Sequence, residues 1–227
     1  MKKIKAIIFD MDGTIIDTET IWKKATQKLV ESKGIVYSPE LEVELDNYLR
    51  GLALHKSCKI LKDMLKLEDE VEHLIKEKAG LANSMYEQGI KFIHGFTDFH
   101  EQVKSHDLHT AIATNATPCT VDIAKRVLNL EKIFGQHIYD ISKVNYVCKP
   151  DPAIYLYAAE QFNVDPSECI AIEDSAHGAQ AAKAAGMMCI GINTAKNPAQ
   201  LEVTDLIIDA YHEINLPALV YKDQSKK

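Results

Sequence analysis

Short apolar runs that end abruptly at a polar or acidic residue constrain the fold of this chain more than any other feature. Three of the runs end at Asp10, Thr114 and Glu173, and two more have the length of a strand. The five runs cover residues 6–9, 110–113, 169–172, 188–192 and 206–208. Continuous rather than alternating hydrophobicity is typical of strands that are covered on both faces, as in a parallel sheet. We therefore predict a buried parallel sheet.

Stretches with helical spacing alternate with these runs. They cover residues 96–106, 121–130, 152–162 and 178–185. Gly186 follows the last stretch, at a position where the C-terminus of a helix favours glycine. Alternating strands and helices joined by short loops predict an α/β fold with a doubly wound, Rossmann-like parallel sheet.

The stretch between the first two runs has a different character, because it shows helical spacing throughout and no convincing strand. Its helical segments cover residues 22–32, 39–49, 54–65 and 68–87. We predict a small all-helical cap domain inserted after the first strand. The predicted boundaries assign residues 1–16 and 92–227 to a catalytic core and residues 17–91 to the cap.

Composition narrows the classes of partner. The formal net charge of −7 offers no surface that would release counterions from nucleic acid, and it disfavours an anionic membrane. The five cysteines are widely spread and form no Cys-x-x-Cys pair, so neither a zinc cluster nor a disulfide framework is indicated. We expect a cytoplasmic monomer that acts on a small molecule, with no nucleic-acid or membrane partner.

The residues after the first strand form a carboxylate pair. In open α/β sheets, ligands bind outside the carboxyl ends of the strands. Asp10 and Asp12 are two residues apart, so both carboxylates face one site. Such a pair is unfavourable unless a cation or proton lies between the two groups, and Mg²⁺ suits all-oxygen ligation. Taken alone, the pair also fits a solvated strand end.

Two later loops carry phosphate-binding chemistry. Thr114 and Asn115 end the second strand, where a hydroxyl and backbone N–H groups can bind phosphate oxygens, although the same residues suit an ordinary helix cap. Lys149 lies in a segment stiffened by Pro150 and Pro152, and a held ammonium can neutralise phosphate charge.

A second pair of acids closes the third of these strands. Glu173 and Asp174 follow a strongly apolar run, where two adjacent carboxylates are unfavourable without a cation. Capping of the following helix is the alternative. Together, successive strand ends supply acids for a metal, a hydroxyl, a lysine and a second acid pair, which indicates phosphoryl transfer.

These motifs resemble those of the haloacid dehalogenase superfamily. They are Asp10-Met11-Asp12-Gly13-Thr14, Thr114-Asn115, Lys149 with Pro150-Asp151-Pro152, and Glu173-Asp174-Ser175, in family order. The helical insertion is similar to the cap of the β-phosphoglucomutase-like and sugar-phosphate phosphatase branch. The resemblance implies a Mg²⁺-dependent phosphatase that hydrolyses a small phosphate monoester, such as a sugar phosphate, through an aspartyl-phosphate.

The resemblance also implies roles for individual residues. Asp10 would be the nucleophile, and Asp12 would protonate the leaving group and later deprotonate water. The metal ligands would be Asp10, the backbone carbonyl of Asp12, Glu173 and Asp174. The phosphate contacts would come from Thr114, Asn115 and Lys149.

Residues of the cap would select the leaving group, and the candidates are Glu19, Trp22, Arg50 and His55. Glu19 and Trp22 resemble the cap entry of the phosphatases, whereas the mutases of this group usually carry a His there. The mutases also carry an Arg shortly after a cap glycine, but here Arg50 precedes Gly51 and no Arg follows it. Both departures favour a phosphatase over the alternative of a sugar phosphomutase.

Other activities remain as alternatives. A phospho-receiver module also combines acids, a Thr and a Lys around Mg²⁺, but a helical insertion after the first strand has no place in it. Dehalogenases of the superfamily lack the full acid set. Cys148 replaces a glycine that often precedes the motif lysine, so we predict thiol-sensitive activity. Cys148→Ser should then protect the enzyme from thiol reagents.

Overall fold

A six-stranded parallel sheet forms the centre of the molecule. The computed structural model describes residues 3–49 and 52–220. The strands lie in the order β3-β2-β1-β4-β5-β6, and every neighbouring pair is parallel. Their bounds are β1 Ala6–Phe9, β2 His109–Ala113, β3 Ile138–Tyr139, β4 Cys169–Glu173, β5 Met188–Ile192 and β6 Leu206–Ile208. The predicted α/β fold with a doubly wound sheet is confirmed.

Helices cover both faces of the sheet. They are α5 Phe96–Ser105, α6 Pro118–Leu128, α7 Leu130–Phe134, α8 Ala153–Gln161, α9 Ala176–Ala184 and α10 Leu216–Val220. Along β1, Ile7 and Phe9 pack into a cluster with α5, α6, α7 and α10, while Ala6 and Ile8 pack against α8 and α9. Both faces of β1 are therefore buried, which explains its unbroken apolar sequence.

Four helices between β1 and α5 form the inserted segment. They are α1 Glu19–Ser32, α2 Pro39–Leu49, α3 Leu54–Leu65 and α4 Val71–Gln88, and we call them the cap helices. They share an apolar cluster of their own, which includes Leu29, Leu45, Leu61 and Leu74. A helical insertion after the first strand is thus confirmed, while the exact boundaries of the cap stay a prediction. No helix in the described ranges is long and apolar enough to cross a membrane.

Two local details differ from the predicted elements. The predicted helix over residues 121–130 is two helices, because Asn129 adopts a left-handed conformation with φ of 53° that ends α6 before α7 begins. The two-residue strand β3 was not predicted, since it is too short to show a pattern of its own.

The register of the central strands brings their carboxyl ends to one level. Phe9 of β1 pairs with Ile112 of β2 and with Ile172 of β4. Asp10, directly after β1, and Glu173, the last residue of β4, therefore meet at one edge of the sheet. This edge faces the cap helices.

Candidate active site

A cavity of about 230 Å³ lies between the carboxyl edge of the sheet and the cap helices. It is lined by most of the predicted site residues, namely Asp10, Asp12, Thr114, Asn115, Lys149, Asp174 and the cap residue Trp22. The structure therefore brings together side chains that are up to 164 positions apart in sequence, from Asp10 to Asp174.

Lys149 is the centre of the hydrogen-bond network at this edge. Its side chain is 3% exposed, and its Nζ donates to Asp10 Oδ1 at 2.6 Å, to Glu173 Oε1 at 2.6 Å and to the carbonyl oxygen of Ala113 at 2.9 Å. Its backbone N–H donates to Asn115 Oδ1 at 3.0 Å. Burial by itself would lower the pKa of Lys149, but the carboxylates of Asp10 and Glu173 raise it above the ordinary value. The lysine is therefore held as a cation beside Asp10.

Three acids cluster around this lysine. Carboxylate oxygens of Asp10, Glu173 and Asp174 lie within 4.8 Å of one another. Burial raises the pKa of Asp10 well above its ordinary value, with Lys149 opposing and the neighbouring acids adding to the rise. Burial and the charge of Glu173 raise the pKa of Asp174 to about 8. These oxygen donors carry more negative charge than the single lysine neutralises. Such a set fits a hard divalent cation such as Mg²⁺.

Glu173 differs from the other two acids, because both of its oxygens already accept hydrogen bonds. Oε1 accepts from Lys149 and from the hydroxyl of Tyr155 at 2.7 Å, and Oε2 accepts from the backbone N–H of Asp174 and from Ser175 Oγ, both at 3.2 Å. The side chain is fully buried. Because these bonds hold its carboxylate in place, Glu173 is suited to position Lys149.

Gly178 makes room for the Glu173 carboxylate. A Cβ at position 178 would lie 1.8 Å from Glu173 Oε1, so α9 could not approach β4 in this way with any larger residue. The sequence reasoning assigned no role to Gly178 or Tyr155. The small-residue run in α9 was the available signal, since such a helix can pack close to a sheet.

The loop after Asp12 positions Asp174. Thr14 Oγ1 donates to Asp174 Oδ1 at 3.2 Å. Gly13 has a φ of +80°, and a Cβ there would lie 2.3 Å from Asp174 Oδ2. Thr194, at the end of β5, donates from Oγ1 to the carbonyl oxygen of Gly13 at 2.7 Å. The turn at Gly13 is thus hydrogen-bonded both to Asp174, through Thr14, and to Thr194.

Asp12 is contacted from the cap helices. Its Oδ1 accepts a hydrogen bond from the hydroxyl of Tyr86 in α4 and one from Trp22 Nε1 in α1 at 3.5 Å. Burial raises the pKa of Asp12, although the bond from Tyr86 opposes the rise. Tyr86 was not predicted as a site residue, and nothing in a motif near Asp12 would have indicated a residue so far along the chain.

Thr114 has features of both roles that its sequence allows, phosphate binding and capping of the following helix. Its side chain lines the cavity and is almost fully buried, while its Oγ1 accepts a hydrogen bond from the backbone N–H of Ala116 at 3.0 Å. The hydroxyl therefore stabilises the turn into α6 and still faces the site. Cys148, next to Lys149, is a free and partly buried thiol, and its predicted sensitivity stays a prediction.

The remaining cap candidates differ in their placement. His55 lies on the exposed side of α3 and is not among the cavity-lining residues, to which this helix contributes Leu54 and Ser57. Arg50 and the side chain of Glu19 lie outside the described residues, so their predicted roles stay predictions.

Lys78 of α4 is a cavity residue that the sequence reasoning missed. Its side chain lines the cavity, the residue is 4% exposed, and its Nζ donates to Ser57 Oγ at 3.3 Å. Burial lowers the pKa of Lys78 to about 8. In sequence it looks like one more lysine of a charged helix, and only the packing of the cap helices distinguishes it.

Comparisons with known proteins agree with this geometry. The family model of the haloacid dehalogenase-like hydrolases matches residues 4–186. A phosphorylated carbohydrates phosphatase of Thermotoga maritima is 32% identical over 184 residues, which cover 81% of this chain and 82% of that protein. A 6-phosphogluconate phosphatase of Escherichia coli is 26% identical over 193 residues, which cover 82% of this chain and 81% of that protein.

A solved structure matches this chain over nearly its whole length. The β-phosphoglucomutase of Clostridium difficile superposes with a TM-score of 0.73 at 25% identity and covers 94% of each chain. The predicted superfamily and branch are confirmed, as is the prediction of a phosphoric monoester hydrolase. The family match leaves no support for the phospho-receiver alternative. This chain belongs to the haloacid dehalogenase-like hydrolases.

Proposed function

We propose that this protein is a Mg²⁺-dependent phosphatase that hydrolyses a phosphorylated carbohydrate through an aspartyl-phosphate on Asp10. The observation that carries the proposal is the buried contact of Lys149 Nζ with Asp10 Oδ1 and Glu173 Oε1, each at 2.6 Å. A cation held beside an acid at the floor of a cavity offsets the repulsion between a carboxylate nucleophile and a phosphate dianion.

The proposed reaction has two displacement steps at phosphorus. In the first, a carboxylate oxygen of Asp10 bonds to phosphorus while the bond to the leaving oxygen breaks, and Asp12 gives that oxygen a proton. In the second, Asp12 takes a proton from a water molecule whose oxygen bonds to phosphorus, and the bond to Asp10 breaks. Inorganic phosphate leaves and Asp10 is free again. Acid–base assistance of this kind is worth about 10²–10⁴ in rate.

Mg²⁺ would be held by Asp10, Asp174 and the backbone carbonyl of Asp12, with Glu173 contributing directly or through water. When bound, the ion would neutralise charge on the phosphate oxygens. Lys149 would share that role, and Thr114 with the loop at Asn115 would orient the transferred group. The roles proposed for Thr114 and Asn115 are supported by their place in the wall of the cavity.

The choice of a carbohydrate as the leaving group is supported by the relatives. The Thermotoga maritima protein is named for phosphorylated carbohydrates, and the Escherichia coli protein for 6-phosphogluconate. In this chain the cap side of the cavity offers Trp22 and the buried ammonium of Lys78. We propose that Lys78 binds an electronegative or anionic group of the substrate. Among the described residues its ammonium donates to the neutral hydroxyl of Ser57, and a buried cation without an anionic partner is otherwise unfavourable.

A sugar phosphomutase is the second candidate, and the likeness to a β-phosphoglucomutase in core and cap favours keeping it. The two functions differ in the acceptor of the phosphoryl group, which is water for the phosphatase and a second hydroxyl for the mutase. Release of inorganic phosphate from a hexose phosphate, as opposed to an isomerised hexose phosphate, separates them.

A substrate screen tests the proposed function. The purified protein is incubated with sugar phosphates, nucleotides and small phosphorylated acids, and inorganic phosphate is measured with Mg²⁺, with a chelator, and after Mg²⁺ is restored. We expect release from one or more sugar phosphates, its loss with chelator and its recovery with Mg²⁺. Absence of phosphate release from every sugar phosphate, or isomerisation without release, would contradict the proposal.

Lys78→Met is expected to weaken substrate binding and stabilise the free protein. Burial lowers the pKa of Lys78 to about 8. At ~1.4 kcal/mol per pKa unit, holding this cation costs on the order of 3 kcal/mol at neutral pH. A methionine of similar shape should therefore raise the free energy of unfolding by about 1–3 kcal/mol, while the KM rises about tenfold and kcat changes little.

The pH dependence gives this prediction a second readout. Since Lys78 loses its proton as the pH rises through about 8, the KM of the unmodified protein should rise there, and that of Lys78→Met should not. Lys76→Met, on the exposed side of the same helix, is the matched control and should change neither quantity. A Lys78→Met variant with unchanged KM at pH 7 would remove the lysine from the substrate site.

A further inference from the structure

Asp12 is oriented by side chains that do not belong to the sheet. In the part of the chain that the structure describes, its carboxylate accepts side-chain hydrogen bonds from Tyr86, Trp22 and Thr18. Tyr86 and Trp22 lie on cap helices, and Thr18 directly precedes the first of them. Asp10, two residues earlier, is instead held by Lys149 from the core. The two acids of one motif are thus controlled by different parts of the molecule.

Tyr86 and Trp22 form one unit. Tyr86 is fully buried in the last turns of α4, and Trp22 lies in the first turn of α1. Their rings meet edge to face, with centroids 6.4 Å apart and planes inclined by 69°. Both donors point at the same oxygen, Asp12 Oδ1. Since a carboxylate bonded to two fixed donors cannot rotate freely, its orientation depends on these helices.

The helix that carries Tyr86 is also attached to the core. Asn83 Oδ1 accepts a hydrogen bond from Thr120 Oγ1 of α6 at 3.0 Å, and Glu87 pairs with Arg126 of α6 at 2.9 Å. These contacts flank Tyr86 on α4, so the tyrosine reaches Asp12 only while α4 lies on α6. Seating of the cap helices and orientation of Asp12 therefore depend on the same contacts.

We propose that Tyr86, assisted by Trp22, is a positioning residue that orients the Asp12 carboxylate for proton transfer. The inference rests on the acid–base role proposed above for Asp12. Proton transfer needs donor and acceptor within about 2.6–3.2 Å, so a carboxylate that rotates away is inactive even if it is otherwise intact.

The test compares two esters of similar shape and different leaving-group acidity. Phenyl phosphate releases phenol, which needs a proton as it departs, whereas p-nitrophenyl phosphate releases a stable anion. Four variants are compared with the unmodified enzyme, namely Tyr86→Phe, Trp22→Phe, Asp12→Asn and the double variant of Asp12→Asn with Tyr86→Phe. Tyr48→Phe, an exposed tyrosine of α2, is the control for the loss of a phenolic hydroxyl.

We expect Tyr86→Phe to lower kcat/KM for phenyl phosphate about 10- to 100-fold, which is part of the ~10²–10⁴ supplied by general acid–base catalysis. Because kcat/KM covers only the steps up to the departure of the leaving group, it excludes the hydrolysis of the aspartyl-phosphate, which both esters share. The same variant should lower kcat/KM for p-nitrophenyl phosphate less than about threefold. Trp22→Phe, which loses the longer bond, should have a smaller effect of the same kind. In the Asp12→Asn background, Tyr86→Phe should cause no further loss, because the two residues act as a unit.

Two results would overturn the inference while leaving the proposed function intact. One is an equal loss of kcat/KM for both esters, and the other is an equal loss of kcat/KM in the presence and in the absence of the Asp12 carboxylate. A third result would affect the proposed mechanism as well. Full activity of Asp12→Asn on phenyl phosphate would show that Asp12 is not the acid and base, and the inference would fail together with that role.

Discussion

An Asp10→Asn variant is expected to lose at least about 10⁴-fold in kcat, because an amide cannot form the aspartyl-phosphate and the nucleophile acts as a unit with its partners. Its fold and stability should be preserved. Asp10 is buried, and burial raises its pKa, so the neutral amide removes an unfavourable charge. Lys149 keeps its 2.6 Å contact with Glu173, which leaves one cation paired with one anion.

Steady-state kinetics and thermal unfolding measure the two halves of this prediction. Asp98→Asn, an exposed acid in the first turn of α5, is the matched control and should leave both kcat and the melting temperature unchanged. An Asp10→Asn variant within tenfold of the unmodified kcat would show that Asp10 is not the nucleophile. A large drop in melting temperature would show that its charge stabilises the folded state.

Lys149→Met is expected to lower both activity and stability. Without the ammonium, the carboxylates of Asp10, Glu173 and Asp174 remain buried beside one another with no cation among them. Breaking a buried ion pair by removal of one partner costs about 3–5 kcal/mol, and the loss of one electrostatic contact to the transition state costs about 10²–10³ in kcat. The unfolding free energy should fall accordingly in metal-free protein.

The pH dependence of this loss follows from the remaining acids. Burial raises the pKa of Asp174 to about 8 and that of Asp10 above its ordinary value. A carboxyl group whose pKa is raised by folding contributes less to stability as the pH rises, because the folded state gives up a proton that it binds better than the unfolded state. The variant should therefore be less destabilised at pH 5 than at pH 8.

Denaturant unfolding at both pH values, with chelator and with Mg²⁺, measures this prediction. Mg²⁺ should restore part of the stability and little of the activity. Lys143→Met, at an exposed position of the short 3₁₀ helix Ile141–Val144, is the control. A Lys149→Met protein whose unfolding free energy lies within about 1 kcal/mol of the original at pH 8 would contradict the account of a buried cation that holds the acids together.

The core of the candidate site could be predicted because parallel strands end at one level. A motif at the end of β1 and another at the end of β4 must then face each other, whatever lies between them in the chain. Asp10 and Glu173 are brought together in this way, and both contact Lys149. No comparable rule connects a helix surface to a strand end from sequence alone.

The cap could not be predicted to the same depth, because the phase of each helix decides which residues face the cavity. His55 was predicted to select the leaving group, yet Leu54 and Ser57, three positions apart on α3, share the face that lines the cavity. His55 is turned away from that face. Lys78 and Tyr86 of α4 lie on the inward side, and only the packing of four helices determines that side.

Trapping the aspartyl-phosphate tests whether the phosphoryl group passes through Asp10. The enzyme, turning over p-nitrophenyl phosphate with Mg²⁺, is quenched in acid, digested and analysed by mass spectrometry. We expect one added phosphoryl group on the peptide that contains Asp10, its loss on mild base, and its accumulation in Asp12→Asn. Phosphate release at the normal rate with no acid-stable label on that peptide, or with the label on another residue, would show that the phosphoryl group does not pass through Asp10.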